Sequence, residues 1–127
     1  MQPQKKFETE NMSLKLINGK IVHSYVKDFK DAKLQDALEI HQFLDANYKG
    51  CELVNLMEFG NGSSMDREVR EYLGNPDRIR YSKKVALLVS NLSQQFIGSY
   101  FLKFNNPVLP SKVFYEKQKA IDWLLAD

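Results

Sequence analysis

Apolar and polar positions alternate with a period of two at Met12, Leu14 and Leu16, and an apolar-rich run follows at Ile21-Val22-His23-Ser24-Tyr25-Val26. Both segments read as strands, the first half-buried. Asn18-Gly19 stands between them and suits the two positive φ angles of a type I′ turn, so the strands form a hairpin. The rhythm then becomes helical: Leu34, Ala37, Leu38, His41, Leu44 and Tyr48 recur on one face, and Ile40 and Phe43 widen it. Asp31 is the expected N-cap of this helix and Gly50 its expected stop.

Leu53 to Met57 reads as the third strand and Glu58 to Ser64 as a glycine-containing loop. That loop leads into a helix with Met65, Val69, Tyr72 and Leu73 on its apolar face, ended by Gly74-Asn75-Pro76. A basic connector covers residues 77–84. The run Val85-Ala86-Leu87-Leu88-Val89 lacks polar alternation, so it reads as a strand buried on both faces of a parallel sheet. Asn91 and Gln94 resemble a capping box before a helix carrying Leu92, Phe96, Ile97, Tyr100, Phe101 and Phe104. Pro107 and Pro110 bend the chain. Val113 and Phe114 form a short edge strand, where a nearby proline is tolerated, and a last helix ends at Ala120-Ile121-Asp122-Trp123-Leu124-Leu125. The order ββαβαβαβα predicts one α/β domain over residues 1–127, with residues 1–5 frayed. Its mixed sheet has about five strands with helices packed against it.

Composition agrees with a packed domain: 127 residues, 43% apolar and 27% charged. A chain of this length buries roughly two-thirds of its unfolded surface and needs no metal or disulfide to fold. The net charge of +2 gives no electrostatic reason to expect nucleic acid as a partner. No apolar run approaches the roughly 20 residues of a membrane span, and no apolar segment follows the charged N-terminus as in a signal peptide. Cys51 is the single cysteine and heads an apparent buried strand, so it reads as a small core residue in a reducing compartment. A cytoplasmic location follows as the expectation.

Catalytic chemistry finds little support in the sequence. His23 falls on a strand and His41 on an apolar helix face, where a partly buried, hydrogen-bonded side chain is expected. Neither has neighbouring ligands for the three or four that zinc requires. No nucleophile-elbow sequence is present, and the Gly60–Ser64 loop lacks the Lys-Ser/Thr of a nucleotide-binding loop. The expectation is a non-enzymatic domain without cofactor or metal.

The segments Leu16-Ile17-Asn18-Gly19-Lys20-Ile21-Val22 and Arg67-Glu68-Val69-Arg70-Glu71-Tyr72 carry a family resemblance together with three later stretches. These are Val85–Val89 leading to Ile97–Phe104, Pro110–Phe114, and Ala120–Leu124. With their element order, they resemble the STAS-like, or anti-sigma-factor-antagonist-like, fold. Closer still is the resemblance to small bacterial STAS-like or CRAL-TRIO-like domains of unknown function. The resemblance implies a regulatory interaction module with a kinase-like protein partner. It also implies a phosphorylated serine at the start of the helix after the third strand, a place held here by Ser63 and Ser64. The loop reads Gly60-Asn61-Gly62-Ser63-Ser64 where regulatory members present an Asp-Ser-Ser/Thr-Gly type sequence.

Two readings of that loop stand side by side. In one, Gly60, Gly62, Ser63 and Ser64 form an anion or phosphoserine site at a helix N-terminus, with Arg67 or Arg70 pairing the phosphate. In the other, Ser63 is an N-cap and Asp66 completes its capping box. The basic run Arg78–Lys84 reads as a solvated connector, or as a contact for an acidic partner. The aromatic face of Phe96, Ile97, Tyr100, Phe101 and Phe104 reads as ordinary packing, as a homodimer interface, or as a pocket for a lipid or other apolar ligand.

Overall fold

The computed structural model describes residues 5–73, 82–104 and 109–126. The expected helix stop at Gly74–Pro76, the basic connector through Tyr81 and the bend at Pro107 lie outside the described residues. Eight strands and four helices make up the rest. They run β1 (Lys6–Glu8), β2 (Met12–Ile17), β3 (Ile21–Val26), β4 (Asp31–Ala32), α1 (Leu34–Tyr48), β5 (Leu53–Phe59) and β6 (Ser64–Met65). After these come α2 (Arg67–Leu73), β7 (Ser82–Leu88), α3 (Leu92–Phe104), β8 (Ser111–Phe114) and α4 (Lys117–Leu125).

A six-stranded mixed sheet has the order β1-β2-β3-β5-β7-β8. β1, β2 and β3 pair antiparallel, whereas β3, β5, β7 and β8 run parallel. Asn18 and Gly19 both have positive φ, 54° and 65°, as the type I′ hairpin requires. α1, α2 and α3 pack one face of the sheet, where Val22, Val26, Leu53, Met57, Val85 and Leu87 meet Ala37, Ile40, Phe43, Leu44 and Val69. Among the described residues, α4 alone covers the other face, with Ala120 and Leu124 on Ile21, Val54, Leu56, Ala86 and Leu88. Alternate residues of β7 therefore enter two different cores, and this is why its sequence carries no polar alternation.

Four local expectations change. β1 adds an edge strand just beyond the segment expected to fray. Asp31 does not cap α1, because it pairs with Ser64 in the small parallel sheet β4–β6. Asp36 serves instead, its buried carboxylate accepting the Lys33 backbone N–H at 2.8 Å. Cys51 is exposed rather than buried, since the strand begins two residues later. Lys83 and Lys84 belong to β7 rather than to a connector. Lys84 Nζ donates to the carbonyls of Trp123 and Ala126 at 3.0 and 2.6 Å, satisfying the acceptors left open at the C-terminus of α4.

Candidate functional site

In open α/β sheets, ligands and partners meet the loops beyond the carboxyl ends of parallel strands. Here that edge is formed by the ends of β3, β5, β7 and β8. It holds a cleft of about 390 Å³ lined by Tyr25, Glu58, Gly60, Asn61, Ser90 and Tyr115 among others.

Gly60 is the hub of this edge. Its N–H donates to the Val26 carbonyl at 2.9 Å. Its own carbonyl accepts the Ser63 N–H at 3.2 Å, the Ser63 hydroxyl at 2.8 Å and the Gln94 amide at 2.7 Å. Gln94 is nearly fully buried and also accepts the Ser90 N–H at 2.8 Å, while its backbone N–H donates to Asn91 Oδ1 at 2.9 Å. Asn91 thus caps α3 as expected, and the Gln94 side chain extends the box by joining the start of α3 to the loop after β5. Across the edge, Asp28 Oδ1 accepts the Tyr25 hydroxyl at 2.6 Å and the Asn61 N–H at 2.9 Å. The hydrogen bond to Asp28 pushes the Tyr25 phenol up to about 12, with burial adding to it. Phe29 N–H donates to the Asn61 carbonyl at 2.7 Å. Three loops are therefore tied together by hydrogen bonds, buried between Gln94 and Gly60 and exposed at Asp28.

Ser63 is buried and turned inward to Gly60, so it is not the N-cap of α2. The reason is topological: Ser64-Met65 forms β6 beside β4, and the helix begins only at Arg67, with the Asp66 carbonyl accepting Val69 and Arg70 N–H groups. The Ser64 hydroxyl donates to Asp31. Arg67 pairs with Glu71 at 2.8 Å, and Arg70 donates to the Met65 carbonyl and lies 5.4 Å from the Tyr100 ring centroid. The structure thus brings Gly60 and Ser63 together with Gln94, sets Gly62 against Phe29, and directs Arg67 and Arg70 to other partners. Sequence reasoning missed Gln94 as a tertiary link and Asp28 as the acceptor that joins two loops. Neither had a local signal, because each acts through a partner distant in the chain.

The aromatic helix face divides. Ile97 packs into the core. Leu92, Phe96 and Tyr100, spaced i, i+4 and i+8, point to solvent at 80%, 73% and 42% exposure. The side chains of Phe101 and Phe104 lie outside the described residues. Phe29 is 79% exposed, has a positive φ of 59° and lies against Gly62. Beneath α3 an apolar cavity of about 30 Å³ is lined by Met57, Phe59, Val85, Leu87, Ile97 and Gly98 among others. That is room for about one water, not for an acyl chain in this conformation.

The two histidines each hydrogen-bond another side chain. His41 hydrogen-bonds Tyr72, joining α1 to α2, as a partly buried histidine was expected to do. Among the described residues, no group of three His, Cys, Asp or Glu could hold a metal ion. His23 Nε2 lies 2.8 Å from Glu58 Oε1. Burial holds His23 below the ordinary imidazole value of 6.5, with the Glu58 hydrogen bond opposing and Lys117 and Lys15 reinforcing the shift. The unfolded chain therefore takes up a proton that the folded chain resists. Stability from this group is present above about pH 6.5 and is lost as pH falls toward the folded value. A His23→Gln variant should show a flatter melting temperature between about pH 7 and about pH 5 than the parent. Equal slopes would remove His23 from that response.

A family model described as a domain of unknown function, DUF7793, matches residues 14–126. Among solved structures, the chain is similar to an uncharacterised DUF3478-family protein with a SpoIIAA-like fold from Shewanella loihica. The two are 16% identical over 89% of this chain and 91% of that one, with a TM-score of 0.56. Among curated proteins, none matches the sequence.

Proposed function

The chain belongs to the DUF7793 family of domains of unknown function and has a SpoIIAA-like fold, and on that premise we propose that it acts as a non-enzymatic protein-interaction module. The partner docks on the carboxyl edge of the parallel strands, against Phe29 and the Leu92–Phe96–Tyr100 stripe. The observation that carries this reading is the exposure of large apolar side chains around loops that are hydrogen-bonded into a rigid frame. Exposed aromatics on a pre-ordered surface lose little entropy on binding, and such residues dominate protein interfaces. No helix among the described residues is long and apolar enough to cross a membrane.

A serine switch within this reading belongs to Ser64 rather than Ser63, because Ser64 is the less buried and its hydroxyl faces Asp31. A phosphate there would repel Asp31 and separate β4 from β6, altering the docking edge.

A Leu92→Glu/Phe96→Glu variant tests the docking surface. Both positions are exposed, so its unfolding free energy should stay within about 0.5 kcal/mol of the parent. Retention of a partner, or self-association measured by sedimentation, should fall at least about tenfold. Unchanged association would sink the proposal. An apolar ligand held by the parent in native mass spectrometry would favour the alternative ligand-binding module, with α3 displaced to enlarge the cavity beneath it.

A further inference from the structure

His23 stands where the two halves of the sheet meet. β3 pairs antiparallel with β2 on one side and parallel with β5 on the other. Ile21, two residues earlier on the same face, joins the core under α4. Toward β1 and β2 that face opens into a cleft of about 510 Å³, lined by Lys6, Lys15, His23 and Tyr25 among others.

The niche suits a neutral ring. His23 is only 6% exposed, and its Nε2 lies 2.8 Å from Glu58 Oε1. A carboxylate accepts and does not donate, so Nε2 carries the hydrogen and Nδ1 the lone pair. Nδ1 is buried without a hydrogen-bond partner. Protonation would place a donor and a positive charge at that same buried atom, where no acceptor waits, and this costs more than an empty lone pair. Burial opposes a charge on the ring most strongly, and Lys117 at the start of α4 and Lys15 add to it. Lys15 of β2 lies directly opposite His23, and Lys6 of β1 directly opposite Lys15, so the row carries like charges that disfavour the sheet. Tyr25, next on this face of β3, stays neutral through its bond to Asp28. Glu58 of β5 alone favours the charged ring among the groups acting on it.

We propose that His23 is a pH-sensitive latch between the two halves of the sheet. Its neutral ring closes β2, β3 and β5 on this face. Its protonation loosens the β2–β3 pairing around it, and the ring turns to water in the cleft beside Lys15. β2 yields before β5 because only the three-residue β1 holds its far side, whereas β5 lies between β3 and β7. The latch rests on the sheet and does not depend on the docking edge.

The test is amide hydrogen exchange of the folded chain, followed by NMR at about pH 7.5 and about pH 5 and corrected for intrinsic exchange rates. Protection of residues 13–16 and 22–25 should fall about threefold to thirtyfold at the lower pH, relative to residues 54–57 and 85–88. The upper bound is set by an open state whose histidine has the ordinary pKa of about 6.5. His23→Gln can still donate to Glu58 but cannot titrate, so it should lose the difference. Lys15→Met removes one flanking cation at an exposed position and should reduce the difference about twofold. Amide spectra at the higher pH confirm that both variants keep the fold. No fall, a fall shared equally by β5 and β7, or one that persists undiminished in both variants overturns the latch.

Discussion

Gly60→Ala should destabilise the protein by about 3 kcal/mol, the upper end of the usual cost of overpacking a filled site. A β-carbon at this position would sit 2.5 Å from both the Val26 carbonyl oxygen and Asp28 Oδ1, and 2.8 Å from the Tyr25 hydroxyl. The Val26 carbonyl cannot retreat without losing the hydrogen bond it accepts from Gly60 N–H. Asp28 cannot retreat without releasing Tyr25 and Asn61. Gly62→Ala is the control. It requires a positive φ of 63° and meets only the exposed Phe29 ring, which can rotate away, so about 1 kcal/mol is expected. Urea unfolding of both variants measures the difference. A Gly60→Ala loss no larger than that of Gly62→Ala would show that the edge is not the rigid frame described above. The same variant should weaken partner binding beyond its effect on stability, because the docking loops share that hub.

Asp36→Ala should cost about 3 kcal/mol or more, because three donors lose a charged acceptor in a buried place. The carboxylate accepts Asn11 N–H at 3.2 Å, Asn11 Nδ2 at 3.0 Å and Lys33 N–H at 2.8 Å. It joins the start of α1 to the turn between β1 and β2. Burial by itself would raise its pKa, but hydrogen bonds from Thr9, Asn11 and Lys33 outweigh that and hold it below the ordinary value of 3.8. Its stabilisation is therefore complete above the unfolded carboxylate range and fades as pH drops through the lower folded value. Acid titration of the unfolding free energy checks the sign. The parent should lose stability below about pH 4 more steeply than Asp36→Ala. Parallel curves would mean that Asp36 is not the linked group. This window lies below that of His23, so the two responses separate along one titration.

Much of the chain was legible as a pattern. The Asn18-Gly19 turn, the span of α1, the doubly buried Val85–Val89 run and the Asn91 cap each follow from local chemistry that few tertiary contacts can override. Legibility failed where a residue took a distant partner. Asp31 has the side chain of an N-cap, yet Ser64 draws its backbone into β4–β6, and Asp36 caps from inside the helix. Ser63 has the side chain of an N-cap as well, yet it closes a turn on Gly60. Cys51 heads an apparent buried strand in the sequence, yet the strand starts two residues later and leaves it exposed.

The hydrophobic rhythm alone determined the α/β class, the parallel order of the later strands and most of the core, because burial periodicity is a property of each segment by itself. Which face of α3 meets the sheet was not decided there. Phe96 and Ile97 are equally apolar, and only packing against β7 and β8 turned Ile97 inward and left Phe96 in solvent. The Gly60 hub, the loops joined by Asp28 and the row Lys6–Lys15–His23 are likewise products of register and crossover. They bring together residues far apart in the chain, and no local preference encodes their meeting.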